Sequence, residues 1–296
     1  MTAASRTAAG RALAARVAAW LFAPGPPRRL AALRIGLCGI LAVRLATGPY
    51  LELASQPAAL FRPISFLKLL DAMPPAPVVL TLQVLGVAAA VLAAAGLGTR
   101  VALPAAWLAA VPLMAMTSSL GKTAHNDVLL LLALVPLLPA PAGAVWSLDA
   151  RWRRARAPDP ACSGWPVRTA MVVVAGAYFL SGLAKLFHAG PAWAFGGNLR
   201  WVLYAASDGA VEPNQLALFV ADRPALAVAL ATGTLLLELC VPVVLWRPRL
   251  APLVVLAVAG LHLGIWLTMG LVYWPMAATA AVVLLGWDAL AARRGP

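Results

Sequence analysis

Lys185 is one of three lysines in a chain that uses arginine at almost every other basic position. The choice matters chemically, because a desolvated lysine can lose its proton and an arginine cannot. Placed where an apolar run ends, Lys185 is a candidate general base. The competing reading is a side chain that snorkels outward and marks a helix end. Glu238 and His262 lie near the middles of two other apolar runs, where an ionisable group costs about 2.5–3.5 kcal/mol to insert and needs a partner or a purpose. Paired with each other they form a proton shuttle, or else a structural hydrogen-bonded pair. Arg34 and Arg44, in an earlier run, are the other candidate partners.

The densest polar cluster is Lys122-Thr123-Ala124-His125-Asn126-Asp127. Helical spacing would put Lys122, His125 and Asn126 on one face at the outer end of a span, suited to binding a polar substrate group or relaying protons. The alternative is a helix start at the membrane interface, with Thr123 or Asn126 as cap and Asp127 near the positive end of the helix dipole. Trp193, Phe195, Trp201 and Tyr204 read as an aromatic belt at headgroup level rather than a ring-binding box. The chain has no HExxH helix, no GxSxG elbow, no phosphate-binding glycine loop and no CxxCH site, so no metal centre is assigned and hydrolase or nucleotide-driven chemistry is disfavoured. Cys38, Cys162 and Cys240 are too scattered for a redox pair or a disulfide framework.

These residues need elements to position them, and composition decides which kind. Of 296 residues, 62% are hydrophobic and 11% charged, too little polar surface to wet a soluble domain of this size. The expected fold is all-α, a polytopic integral membrane bundle. Since a span takes about 20 apolar residues, apolar runs predict about eight transmembrane helices. They cover Leu30 to Thr47, Val78 to Leu97, Val101 to Ser118, Asn126 to Ala142, Val167 to Phe187, Ala225 to Leu245, Leu250 to Val272 and Pro275 to Leu290. With an inner N-terminus, fifteen basic and three acidic residues fall on the inner side and six of each on the outer, which predicts that both termini are cytoplasmic. The formal net charge of +13 therefore reflects topology; it is not gathered on a nucleic-acid-binding module.

Residues 1–29, with Arg6, Arg11 and Arg16 at five-residue intervals, are expected to form an amphipathic helix on the cytoplasmic surface, with a cleaved presequence as the alternative. Residues 30–290 form the transmembrane domain and 291–296 a cytoplasmic tail. Two long outer connections, Gly48 to Pro77 and His188 to Pro224, mix aromatic residues, prolines and isolated charges, and are expected to form interfacial helices or a cap. The inner connection from Trp146 to Pro166 reads as an Arg-rich, lipid-anchoring elbow.

Four separated motifs carry a family resemblance. They are Gly121-Lys122-Thr123-Ala124-His125-Asn126-Asp127 before an apolar helix, and Trp146-Ser147-Leu148-Asp149-Ala150 before a basic run. Next comes Tyr178-Phe179-Leu180-Ser181-Gly182-Leu183-Ala184-Lys185-Leu186 with Trp193 downstream, and last Glu238, then Leu261-His262-Leu263 and Gly270. In this order they resemble the vitamin K-dependent gamma-carboxylase superfamily, in particular its bacterial horizontally transferred transmembrane (HTTM) domain proteins. In the carboxylases, the lysine of a Gly-x-x-Lys-Leu motif is the proposed base that deprotonates a reduced quinone. The resemblance implies that role for Lys185. The clustering of titratable groups at the outer mouth adds His125, Asp127 and His262 to the expected catalytic set, positioning substrate, and makes Lys122, Asn126, Trp193 and Glu238 the expected substrate contacts.

The implied cofactor is a reduced quinone, and the implied partners are membrane lipid and an exported peptide or protein. The implied setting is the bacterial inner membrane. Gamma-carboxylase-like carbon–carbon bond formation is the enzymatic reading, and a non-catalytic scaffold or maturation factor for an exported peptide is the alternative. Modification of a protein glutamate is not itself implied. The carboxylases grip their substrate with a large extramembrane domain that the motifs do not cover, and their histidine falls within the stretch matching Asn126 to Val128.

Overall fold

The computed structural model describes residues 3–121, 125–153, 159–208 and 212–285, and within them every regular element is helical. The α-helices are α1 (Ala3–Leu21), α2 (Pro27–Thr47), α3 (Tyr50–Ala54), α4 (Ala76–Ala95), α5 (Thr99–Thr117), α6 (Val128–Leu134) and α7 (Leu148–Arg153). They continue with α8 (Ala161–Ala189), α9 (Ala192–Phe195), α10 (Asn198–Asp208), α11 (Gln215–Ala221), α12 (Pro224–Cys240), α13 (Ala251–Met269) and α14 (Trp274–Leu284). Among the described residues six helical segments are long and apolar enough to cross a membrane, namely α2, α4, α5, α8, α12 with its 3-10 extension to Leu245, and α13 with the short turn before it. The chain is thus a multi-pass membrane protein. The expected fourth span is shorter, as an apolar helix over Val128–Leu137, and the expected eighth is described as an apolar helix over Trp274–Leu284. Pro136 explains the shortened fourth span, since it sits where α6 tightens into a 3-10 turn and cannot donate to an α-helical ladder. The far end of the other run, 286–290, lies outside the described residues.

Both long connections carry short helices, as their composition implies. The first holds α3 and 3-10 turns at Ala58–Leu60 and Ser65–Leu69; the second holds α9, α10 and α11. The N-terminal segment is helical over α1; five-residue steps turn a helix by about 140° each, so its Arg11 and Arg16 positions do not stack one above the other.

The described residues divide into two compact units. The first contains 3–121, 131–153 and 159–170, and is organised around α2, α4 and α5. Arg34 of α2 is fully buried there. Its guanidinium donates to the carbonyls of Ala142 (2.6 Å) and Trp146 (2.5 Å), with longer contacts to Ala94 and Val145 (3.4 Å each). Ala94 lies in the last turn of α4, where outward carbonyls favour a cation. Gly96, with φ +77°, ends that helix; a side chain there would strike Ser147 and the Arg34 guanidinium. Asp149 accepts from the Thr99 amide at the start of α5 (3.3 Å), and its own amide donates to the Gly96 carbonyl (3.1 Å). The Trp146–Asp149 motif is therefore part of a structural clamp. Within this unit the terminal nitrogens of Arg34 are taken up by backbone carbonyls.

The second unit contains 125–130, 171–208 and 212–285. Leu203, Ala217, Val220, Ala221 and Ala227 form a core joining α10, α11 and the start of α12. Asn214 ties this layer to α13. Its Oδ1 caps α11 by accepting from the Leu216 and Ala217 amides (3.0 and 3.1 Å), while its Nδ2 donates to the Leu267 carbonyl (2.8 Å).

Candidate functional site

All of the site's contacts lie in the second unit, on a stripe of α8. Tyr178, Ser181, Gly182 and Lys185 stand at i, i+3, i+4 and i+7, the spacing that stacks side chains on one helix face. Gly182 lets α12 come close: a Cβ there would lie 3.1 Å from both the Glu238 Cβ and the Leu239 Cγ. That approach brings Glu238 onto Lys185. The Lys185 ammonium nitrogen lies 2.6 Å from each Glu238 carboxylate oxygen and 2.9 Å from the Ser181 hydroxyl. Ser181 in turn donates to Glu238 Oε1 at 3.2 Å.

The side chain of Glu238 is 8% exposed and that of Lys185 is 23% exposed, so the carboxylate is the desolvated partner and the amine is the one open to a reactant. The indole of Trp193 lies 5.2 Å from the amine, within cation–π range. Lys185 is therefore turned onto a partner and does not snorkel.

A second polar group lies on the same stripe two turns back. The Tyr178 hydroxyl hydrogen-bonds His262 Nε2 at 2.9 Å in a buried setting. His262 Nδ1 is buried and has no hydrogen-bond partner among the described residues. Tyr273, between α13 and α14, places its ring 5.7 Å from that of His262 and 5.4 Å from that of His125. Burial pushes the Tyr273 hydroxyl above its ordinary range, which keeps it a neutral donor. Asn126 donates to the Val272 carbonyl at 2.9 Å, next to Tyr273.

Lys185, Glu238 and Trp193 thus come together, and His262 and His125 gather around Tyr273. The expected Glu238–His262 pair does not form. Tyr178 and Lys185 are seven residues apart on α8, roughly 10 Å along the axis, and each takes a different one of the two groups. Nor do His125 and Asn126 share a helix face: they lie in the turn before α6, which begins at Val128, with Asp127 buried immediately before it. Lys122 lies outside the described residues. Among the described residues no three His, Cys, Asp or Glu side chains come together as a metal-ligand set.

Tyr178, Ser181 and Gly182 acquire roles that sequence reasoning did not assign them. The signal was present as their helical register with Lys185. Tyr273 carried no such signal, being one aromatic residue in a short connection.

A planar, oxygen-bearing ligand is compatible with this set. The orphaned His262 nitrogen offers a buried hydrogen bond, Trp193 offers a ring face, and the Lys185–Glu238 pair offers charge and a proton acceptor. No curated protein and no solved structure matches the chain. The family model of the HTTM domain does, over residues 22–287, a span that takes in the α8 stripe, the buried carboxylate on α12, the histidine on α13 and the Arg34 clamp together. With most of its length matched by that model, the chain belongs to the HTTM domain family.

Proposed function

We propose that this HTTM domain protein is an acid–base enzyme of the bacterial inner membrane, quinone-linked or peptide-modifying, whose reacting centre is the Lys185–Glu238 pair. One observation carries the reading: a half-buried amine in contact with both oxygens of a buried carboxylate, beside an indole face. Lys185, the partner open to a reactant, is the base that takes the proton from a bound hydroxyl, and Glu238 holds the amine in place through both carboxylate oxygens. The ammonium then faces the anion so formed, and Ser181 steadies the carboxylate. A reduced quinone, when bound, supplies an ionisable ring hydroxyl and reducing equivalents. His262, with Tyr178 fixing one ring nitrogen, would hold it at the far end, and Trp193 would cover its face.

The test is oxygen uptake dependent on a reduced quinone, measured on the full chain in proteoliposomes, with lipid extracts of the purified protein analysed by mass spectrometry for a co-purified quinone. Lys185→Ala and Glu238→Gln should each lower the rate at least a hundredfold, the scale of a lost general base. Full activity in folded Lys185→Ala overturns the proposal.

The second reading, a non-catalytic scaffold for an exported peptide, is favoured by the exposed aromatic side chains Phe187, Phe195 and Trp201 around α9 and α10. It places sensitivity in residues 188–224 and leaves Lys185 replaceable, which saturation mutagenesis of both regions distinguishes.

A further inference from the structure

Two cavities in the second unit adjoin along α12, away from the α8 stripe. One, of about 290 Å³, is lined by residues 194–197 and 199–201 and by Pro224, Ala227 and Val228 of the first helical turns. The other, of about 320 Å³, continues past Ala229, Gly233 and Leu237 and is closed by α13 at Gly260 and Gly264. Leu199 lines both. Each is of the size that takes a small ligand or part of a larger one, and the two differ in chemistry.

The first contains Arg200. Its Nε donates to the Ala221 carbonyl at 2.7 Å, its one hydrogen bond among the described residues, so the two terminal nitrogens are available to an anion. The nearby Asp222 carboxylate is engaged by the Tyr204 hydroxyl at 2.7 Å. The second cavity is apolar. Beyond the Cα atoms of Gly233, Gly260 and Gly264 there is open space, with nothing within 4 Å of where a side chain would begin. Thr268, on its wall, returns its hydroxyl to the Gly264 carbonyl at 2.7 Å and offers the cavity little polarity.

The geometry points to a binding site for an anionic phospholipid, with its phosphate on Arg200 and an acyl chain lying in the groove between α12 and α13. From Pro224 to Leu237 the groove runs roughly 20 Å at 1.5 Å per residue. That is about half the 40–45 Å of a bilayer with its headgroups, or one leaflet. The charged residues Arg200, Asp222 and Arg223 gather at one end and the glycine-lined apolar part leads away from them, which is the polarity of a lipid lying along its leaflet. The site is independent of the Lys185 reading, since no residue of either cavity touches that amine.

The experiment is native mass spectrometry of the purified full chain titrated with palmitoyl-oleoyl phosphatidylglycerol, with the phosphatidylcholine of the same chains, and with inorganic phosphate. The wild type should prefer phosphatidylglycerol about fivefold, the effect of one basic side chain on an anionic lipid. Arg200→Gln should abolish that preference and Arg200→Lys should keep most of it. Gly264→Leu, which fills the groove, should weaken both lipids while preserving their ratio. Should Gly264→Leu fail to fold, the Arg200 variants decide alone. Equal affinity for the two lipids in the wild type, an unchanged ratio in Arg200→Gln, or displacement of phosphatidylglycerol by millimolar inorganic phosphate overturns the proposal. The last result would mark a free-anion site.

Discussion

A carboxylate and an amine in contact at low exposure can serve chemistry or stability, and substitutions separate the two. Removing one partner of a buried pair leaves the other charge uncompensated, at a cost of about 3–5 kcal/mol, whereas replacing both by apolar residues of similar volume is often neutral. Lys185→Ala should therefore lower thermal stability in detergent by about 3 kcal/mol, nearer the low end because the amine is partly exposed. The double variant Lys185→Met with Glu238→Met should recover most of that stability and none of the activity. A double variant that stays as unstable as the single one would mean that Glu238 does not depend on Lys185 for compensation. Ser181 extends the same logic, since it donates to the carboxylate and accepts from the amine.

At the scale of elements, the site depends on how closely α8 and α12 approach, and Gly182 sets that distance. Gly182→Leu inserts a side chain where even a methyl group would press on Glu238 and Leu239. Overpacking of this kind costs about 1–3 kcal/mol, and the displaced α12 should carry Glu238 off Lys185. Activity in Gly182→Leu should fall as far as in Glu238→Gln while the protein still purifies as a folded species; retained activity would show that the pair does not need the close approach. The first unit has its own tie in Arg34. Arg34→Leu strips charged donors from buried carbonyls at the end of α4 and in the 142–146 segment. It should destabilise by about 3 kcal/mol or more, read as a lower melting temperature, without altering the lipid preference of Arg200.

For the whole molecule, six long apolar helices and a 62% hydrophobic composition leave no water-exposed way to fold. The full chain should remain with the membrane fraction after an alkaline carbonate wash and require detergent for release. Appearance in the washed supernatant would contradict a multi-pass fold. The short helices of the two long connections fit the same picture, because backbone near the membrane must satisfy its own hydrogen bonds. The Asn214 cap and its bond to Leu267 show how α10 and α11 are fastened to a span.

Hydropathy alone was enough to place the long helices, because a bilayer imposes one length and one composition on anything that crosses it. It was enough also to single out Lys185, Glu238, His262 and Arg34, because a charge in an apolar run stands out whatever surrounds it. Who partners whom was not legible. Glu238 and His262 are a natural pair on paper, yet Glu238 meets Lys185 and His262 meets Tyr178, since pairing depends on the depth and rotation of three helices and on the one glycine that lets two of them touch. Arg34 stood out in the chain as a candidate partner for a buried acid, and only packing placed its guanidinium on the carbonyls of Ala142 and Trp146. Side-chain type is written in the chain, whereas distance between helices far apart in sequence is settled only by packing, and proton chemistry depends on that distance.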